Sequence, residues 1–445
     1  MANTFPKGGI HPPENKLSAQ IPIQDLSLPK QVVISVSQHL GAPAKVIVKK
    51  KDEVKTGQII AEQGGFISAH IHSPVSGKVF KIEETREASG YKRLSVIIKV
   101  EEDTWEEKID PSDTLINDYD SLEPSEIIKK VEQAGIVGLG GATFPAHVKL
   151  SPPKGMKAEV LLINGVECEP YLTADHQLML EKGEEILIGT SLLMRALKVE
   201  KASIGIEKNK PDAIKHLENL SSKYPGINIV PLKVQYPQGG EKQLIKAITG
   251  REVPSGALPI AVGAVVQNVA TAFAVYEAVL KNKPLIDRVV TVTGKSLARP
   301  SNFRVRIGTP ISQLIEAAGG LPEDTGKVVS GGPMMGKALS SLEIPVTKGT
   351  SGILILPENE AARKTVHPCI RCAKCTYVCP MGLEPYLLMT LAERKLHERI
   401  EKEDVTDCIE CGSCSYTCPS ARPLLDYIRL GKSEVNKLRR ARSTK

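Results

Sequence analysis

The sequence predicts a multidomain α/β chain that ends in a small, helical, cysteine-rich domain, and three observations carry that prediction. The run C-x2-C-x2-C-x3-C-P occurs twice, 39 residues apart, as Cys369, Cys372, Cys375, Cys379, Pro380 and as Cys408, Cys411, Cys414, Cys418, Pro419. From Pro124 to about residue 285, strand-like apolar runs alternate with helical ones, the order that gives a parallel sheet with helices packed on it. Residues 32–100 instead break into short β-rich runs separated by turn residues. At 445 residues the chain has room for two to four domains, each able to bury a core.

Composition narrows the function classes. Aromatic residues make up 4% of the chain, with the single tryptophan Trp105, so the stacking platforms of single-strand binders are scarce. The formal charge of +7 is modest for this length and the signs are interleaved, which argues against nucleic acid as a partner. The opening residues MANTFPKGGIHPPENK lack the apolar stretch of a secretory signal. Ala261 to Leu280, the least polar long stretch, is interrupted by Gln267, Asn268, Thr271 and Glu277, so no membrane span is expected. Reduced thiols that bind clusters fit the cytoplasm.

Residues 1–110 are read as one small β domain. Its runs VVISV, AKVIV, GQIIAEQ, FISAHIHS, GKVFKI and RLSVIIKV are broken at Gly41-Ala42-Pro43, Gly64-Gly65 and Ser76-Gly77. His70 and His72 alternate on one face of a strand and are taken as a surface pair in preference to a metal site. Residues 103–123 are acidic and turn-rich, as a linker would be.

Residues 120–285 form the α/β domain. The spacing predicts a helix over 126–134, helical runs such as EEILIGTSLLMRAL, and strands at AEVLLIN, KASIGIE and INIVPLKVQ, with ligands expected at the strand C-terminal ends. The loop Gly138-Leu139-Gly140-Gly141-Ala142-Thr143-Phe144-Pro145 fits a phosphate cradle, with a helix following it to add a favourable dipole. Glycine-rich turns are also common without any ligand. Cys168, remote from the other eight cysteines, reads as a small buried residue and not as a ligand.

Residues 286–355, with VVTVTG, ISQLIEAAGG and KVVSGGPMMGK, suggest a β-grasp module. Residues 356–430 hold the cysteines. In such a run three closely spaced thiolates wrap one 4Fe-4S cube and the fourth, fixed by its proline, reaches the other. Cys369, Cys372, Cys375 and Cys418 are therefore assigned to one cluster, and Cys408, Cys411, Cys414 and Cys379 to the second. Disulfides or zinc would leave the duplicated x3-C-P unexplained. Between the runs, Pro385 to Glu401 reads as one helix with Leu388, Ala392 and Leu396 on a face. Residues 431–445 form a basic tail, with Lys432, Lys437, Arg439, Arg440, Arg442 and Lys445 against Glu434. A frayed terminus is the default for it, and docking to anionic lipid or an acidic partner the alternative.

Several of these segments also resemble known families. Val54 to Ile60 and His72 to Val79 resemble the two halves of a biotinyl or lipoyl carrier domain, a barrel-sandwich hybrid, but Ile67-Ser68-Ala69 stands where that family has its carrier lysine. GxGGAxFP with Lys149, then NGVECEP, GGE and an NVxT segment resemble, in order, the flavin- and NADH-binding regions of the flavoprotein subunit of respiratory complex I. That likeness implies a Rossmann-like domain in which Gly138, Gly140, Gly141 and Lys149 surround the FMN phosphate and Asn164, Glu167, Asn268 and Thr271 line the ribityl chain and ring. Phe144 and Glu169 would lie on the NAD(H) side, with Gly240 and Glu241 closing the pocket. The chain departs from that family at Val166 and Lys242, where it usually has acidic residues.

Taken over residues 5–430, with the SGGPMMG segment and the double cysteine run, the chain resembles the RnfC family, the C subunits of membrane-bound, ion-translocating ferredoxin:NAD oxidoreductase (Rnf) complexes. The resemblance implies an SLBB module of β-grasp type, a ferredoxin-type C-terminal domain, and FMN, NAD(H) and two 4Fe-4S clusters as cofactors. It further implies a peripheral place on the cytoplasmic face of the membrane, with membrane subunits and a ferredoxin-like B subunit as partners and ferredoxin as an indirect one. A related flavin and iron-sulfur cobalamin reductase, or an electron wire without nucleotide binding, would share much of this pattern.

Overall fold

The structure, a computed structural model, describes residues 3–443; the last basic residue, Lys445, lies outside the described residues. Among the described residues the strands form four sheets.

Gln31–Ser35, Lys92–Val100, Gly77–Arg86 and Glu53–Val54 make one antiparallel sheet, and Lys45–Val46, Ile59–Glu62 and Ile71–His72 a smaller one. They enclose a core of alternating side chains that includes Val32, Ile34, Ile60, Val79, Val96 and Ile98. His70 and His72 do not form the expected surface pair. His72 is buried, and the two rings meet edge to face at 6.5 Å where this domain abuts its neighbour. The acidic linker is pinned down: the Asp110 N–H donates to the Lys281 carbonyl at 2.9 Å, and the Ile116 N–H to the Tyr276 hydroxyl at 2.9 Å.

In the α/β unit Ile227–Leu232, Ala202–Glu207, Val160–Asn164 and Ala264–Asn268 lie parallel in that order. Both faces are covered, which is why these strands read as apolar runs. Leu161 and Ile163 point into a core with the helices Gly183–Leu197 and Val269–Leu280, whereas Leu162 joins Leu244 and Ile245 of Glu241–Thr249 on the other face. Each such fully buried leucine or isoleucine stabilises the fold by about 1.5–3 kcal/mol over its exposed state. The first predicted helix is Pro124–Gln133, its start set by Pro124 and a capping box between Glu123 and Glu126.

The third unit is a six-stranded mixed sheet around Asp287–Thr293 and Gly352–Pro357, and its edge strand is Ile23–Asp25 from near the start of the chain. Ahead of that strand, the stretch beginning at Asn3 bridges to Leu232, and Ile10 bridges to Tyr236, so residues 3–25 run as a strap along the other modules.

The cysteine-rich domain is helical, with two corrections to what its sequence suggests. The expected helix over 385–401 is two, Pro385–Glu393 and His397–Lys402, broken where Lys395 turns left-handed (φ 57°), which leaves Leu396 45% exposed. The basic stretch does not fray: Leu424–Ser443 is one helix, held by Lys432 to Glu410 at 3.1 Å and by Arg439 and Arg442 to Glu401 at 2.8 and 2.9 Å. Among the described residues no helix is long and apolar enough to cross a membrane.

Candidate functional site

Asn164 and Asn268 end adjacent parallel strands in register with one another. The Asn268 side chain binds in two directions. Its Oδ1 accepts from the Ala270 N–H at 2.8 Å, capping Val269–Leu280, and its Nδ2 donates to Asp175 Oδ2 at 2.7 Å and to the Asn164 carbonyl at 3.3 Å. The glycine loop lies on this helix start. The Leu139 N–H donates to Thr271 Oγ1 at 2.9 Å, and the Gly138 N–H closes the loop onto the Phe144 carbonyl at 2.8 Å. The helix that follows the loop, Ala146–Lys149, is a single turn and carries little dipole. The twelve-residue helix Val269–Leu280 supplies it instead, from a segment about 130 residues away. A Cβ on Gly140 would come within 3.2 Å of the Asn268 Cβ, and Gly141 holds a left-handed φ of +139° beside open space, so a side chain at the first would crowd Asn268 and one at the second would strain the backbone. These features fit a bound phosphate.

The turn before Glu241–Thr249 completes one wall. Asn164 Nδ2 donates to the Gly239 carbonyl at 2.8 Å, and Lys149 Nζ donates to Glu241 Oε1 at 2.7 Å and to the Val266 carbonyl at 3.0 Å. The two glutamates of the NGVECEP segment are occupied elsewhere. Glu167 accepts from the Asp175 and His176 amides at 2.8 and 3.2 Å, capping Ala174–Glu181. Glu169 accepts from the Met335 and Met334 amides at 2.8 and 3.2 Å, which ties it to the SGGPMMG loop, and burial pushes its carboxyl up to about 7. Lys16 of the strap donates to the Glu167, Glu169 and Leu172 carbonyls at 2.9, 2.9 and 2.7 Å; burial, then the charge of Lys210, lowers it to about 8. Sequence reasoning passed over Lys16 and Asp175. Asp175 is pushed up to about 7, by burial first and by Glu167 second. No local pattern marks either residue.

In the cysteine-rich domain a small pocket is lined by Cys379, Cys408, Cys411 and Cys414 among Pro380, Leu383, Leu388 and Ile428. These four cysteines are the set that the spacing assigned to one cluster. Burial pushes the Cys408 thiol up to about 11 and Cys414 up to about 12. The duplication extends to the backbone. Arg371 and Ala373 in the first run, and Glu410 and Gly412 in the second, all take left-handed φ between 55° and 78°. The Arg371 N–H reaches Cys369 Sγ, and the Glu410 N–H Cys408 Sγ, each at 3.4 Å. Backbone N–H bonds to sulfur of this kind are compatible with cysteine ligation of an iron-sulfur cluster. The two runs differ in depth: Cys369 and Cys372 are exposed, whereas Cys411 and Cys414 are buried.

The Cys379 end of the first run, together with Cys411 of the second, faces the strap and the α/β domain. The Gly9 N–H of the strap donates to the Val378 carbonyl at 3.0 Å, and Gln243 Nε2 donates to Met381 Sδ at 3.2 Å. Gly412 sits so close under Met334 that a Cβ there would lie 2.8 Å from the Met334 carbonyl oxygen. Cys168 is half-buried at the same junction, with its thiol receiving the Gly239 N–H at 3.4 Å.

Comparison with known sequences matches each module. Residues 4–103 match the RnfC barrel sandwich hybrid domain, 131–277 the Nuo51 FMN-binding domain, 289–338 the SLBB domain and 361–423 the 4Fe-4S dicluster domain. The chain is 46% identical over 433 residues to the C subunit of the proton-translocating ferredoxin:NAD(+) oxidoreductase complex of Clostridium ljungdahlii, covering 96% of this chain and 93% of that one. It is 46% identical over 435 residues to the Na(+)-translocating counterpart of Acetobacterium woodii, covering 98% of each. To the C subunit of the ion-translocating oxidoreductase complex of Rhodobacter capsulatus it is 43% identical, over 86% of this chain and 74% of that one. Among solved structures, an H2-reduced NAD+-reducing [NiFe]-hydrogenase superposes with a TM-score of 0.52 at 20% identity, over 70% of this chain and 63% of that one, a likeness of fold.

Proposed function

This chain belongs to the RnfC family, the C subunits of ion-translocating ferredoxin:NAD(+) oxidoreductase complexes, and from that premise we propose that it passes electrons between iron-sulfur clusters, FMN and NAD(H) within such a complex. The observation that carries the reading is the junction at which the four-cysteine pocket meets the α/β domain, where Tyr236 hydrogen-bonds the Cys411 carbonyl and Gln243 reaches Pro380 and Met381. When bound, FMN exchanges a hydride with a nicotinamide and single electrons with clusters, which reconciles two-electron with one-electron carriers.

The chain's own residues position and polarise. In the Rossmann-like domain Gly138, Gly140 and Gly141 offer main-chain amides, the start of Val269–Leu280 adds its dipole, and Lys149 adds charge at the phosphate. Asn164, Asn268 and Thr271 line the ribityl chain and ring, and Glu167 fixes the helix that holds Asp175 against Asn268. Phe144, Glu169, Gly240 and Glu241 bound the dinucleotide side. Two 4Fe-4S clusters would be held, an inner one by Cys379, Cys408, Cys411 and Cys414 and an outer one by Cys369, Cys372, Cys375 and Cys418, supplying single-electron transfer. The exposure of Cys369 and Cys372 makes the outer cluster the entry for electrons from a partner such as the ferredoxin-like B subunit. With no membrane-spanning helix among the described residues, attachment to the cytoplasmic face of the membrane runs through other members of the complex.

Anaerobic reduction by NADH, followed optically and by EPR on iron- and flavin-loaded protein, tests this reading. Flavin bleaching followed by reduced-cluster signals is expected. Bleaching without any cluster signal, or no bleaching at all, would overturn it.

A further inference from the structure

Where the two modules meet, one side chain reaches from the flavin-type domain to the main chain of a cluster cysteine. Tyr236 is buried, and its hydroxyl donates to the Cys411 carbonyl at 2.8 Å. Its backbone is fixed from the opposite side: the Ile10 N–H donates to the Tyr236 carbonyl at 2.8 Å, and the Tyr236 N–H to the Ile10 carbonyl at 2.9 Å. Three residues on, the Gly239 carbonyl receives Asn164 Nδ2 at 2.8 Å. A continuous path therefore runs from Cys411 across one hydrogen bond, along residues 236–239, and across a second hydrogen bond to the strand end that lines the flavin site.

The other polar crossings here end on residues beside Cys379 and not on a cysteine's own carbonyl. Gln243 reaches Met381 Sδ at 3.2 Å and the Pro380 carbonyl at 3.4 Å, and Gly9 reaches the Val378 carbonyl at 3.0 Å; none of these groups belongs to a cysteine. Gly8 approaches Cys379 only by contact of main chains, where a Cβ would lie 2.6 Å from the Cys379 carbonyl. Electronic coupling decays more slowly through covalent and hydrogen-bonded atoms than across packed gaps.

We propose that Tyr236 is the bridge by which single electrons cross between the inner cluster and the flavin, a role that rests on the function proposed above. No bond forms or breaks in the step. One centre gives up an electron and the other receives it, while the phenol keeps its proton and its oxidation state.

Tyr236→Phe keeps the ring and deletes the hydroxyl. In anaerobic stopped-flow with NADH on the full chain loaded with flavin and clusters, the flavin phase should run at the wild-type rate and the cluster phase that follows should slow severalfold. Gln243→Met, which removes the neighbouring polar crossing and leaves Cys411 untouched, should change neither phase. A Tyr236→Phe cluster phase at the wild-type rate overturns the bridge, and so does equal slowing in Gln243→Met, since any loosening of the junction would then suffice. Wild-type protein whose flavin bleaches while its clusters stay oxidised overturns the proposed function and the bridge with it.

Discussion

Replacing Asn268 with aspartate exchanges an amide for an oxygen whose surroundings are already fixed. Aspartate caps helices as well as asparagine does, so the bond from the Ala270 N–H is kept. The exchanged atom, however, faces Asp175 Oδ2 at 2.7 Å. Two unit charges at 2.7 Å repel by about 6 kcal/mol at an effective dielectric of about 20, so the pair retains one proton well above neutrality.

The folded variant then binds about one proton more than the unfolded chain, and its stability falls by about 1.4 kcal/mol per pH unit as pH rises. In the wild type, Asp175 is pushed up to about 7 from 3.8, so its extra proton lowers stability as pH climbs between those values and has no further effect above them. The window from about pH 7 to about pH 9 therefore separates the two chains, with the variant losing up to about 3 kcal/mol that the wild type does not. Urea titrations across that window are the assay. A stability difference that is the same at both ends would refute the contact between Asn268 and Asp175.

Gly140→Ala sets a methyl group 3.2 Å from the Asn268 Cβ; FMN affinity by fluorescence quenching should drop roughly tenfold, the cost of about one disturbed hydrogen bond, and unchanged affinity would count against the cradle. Cys414→Ala removes one of the four sulfurs at the inner pocket and should halve the iron content and delete one EPR species while flavin stays bound; full iron content would contradict the assignment. Lys348, 1% exposed, donates to the His70 and Gly135 carbonyls at 2.9 and 2.7 Å, and burial lowers it to about 7 from 10.5. Because the folded chain releases this proton before the unfolded one, stability rises by up to about 1.4 kcal/mol per pH unit between about 7 and 10. Lys348→Met should flatten that rise in denaturant melts, and parallel profiles for the two chains would contradict it.

Much of the architecture is legible in the residues because it rests on local signals. Periodicity marks the parallel strands, and the cysteine spacing groups Cys379 with Cys408, Cys411 and Cys414, four residues that line one pocket. Partners distant in the chain leave no such trace. The dipole at the glycine loop comes from Val269–Leu280 and not from the single turn that follows the loop, an arrangement set by how two strand ends pack. His72 looked exposed because a two-residue strand shows no face, and its burial comes from a neighbouring domain. The basic stretch looked unanchored because its counter-charges, Glu401 and Glu410, lie upstream across a turn. Lys16 and Asp175 were missed because buried polar groups are identified by what surrounds them.

The strap of residues 3–25 has a consequence for biogenesis. Gly9 grips Val378, Ile10 pairs with Tyr236, and Ile23 lies in register with Asn302, so each partner is synthesised hundreds of residues later. At about 5–20 residues per second, the ribosome needs roughly 20–70 s to deliver Val378 after Gly9. For that interval Gly9 waits without its partner, while Leu232, Tyr236 and Asn302 emerge earlier. The contact between the strap and the cysteine-rich domain is therefore among the later ones to close, although the strap itself is made early.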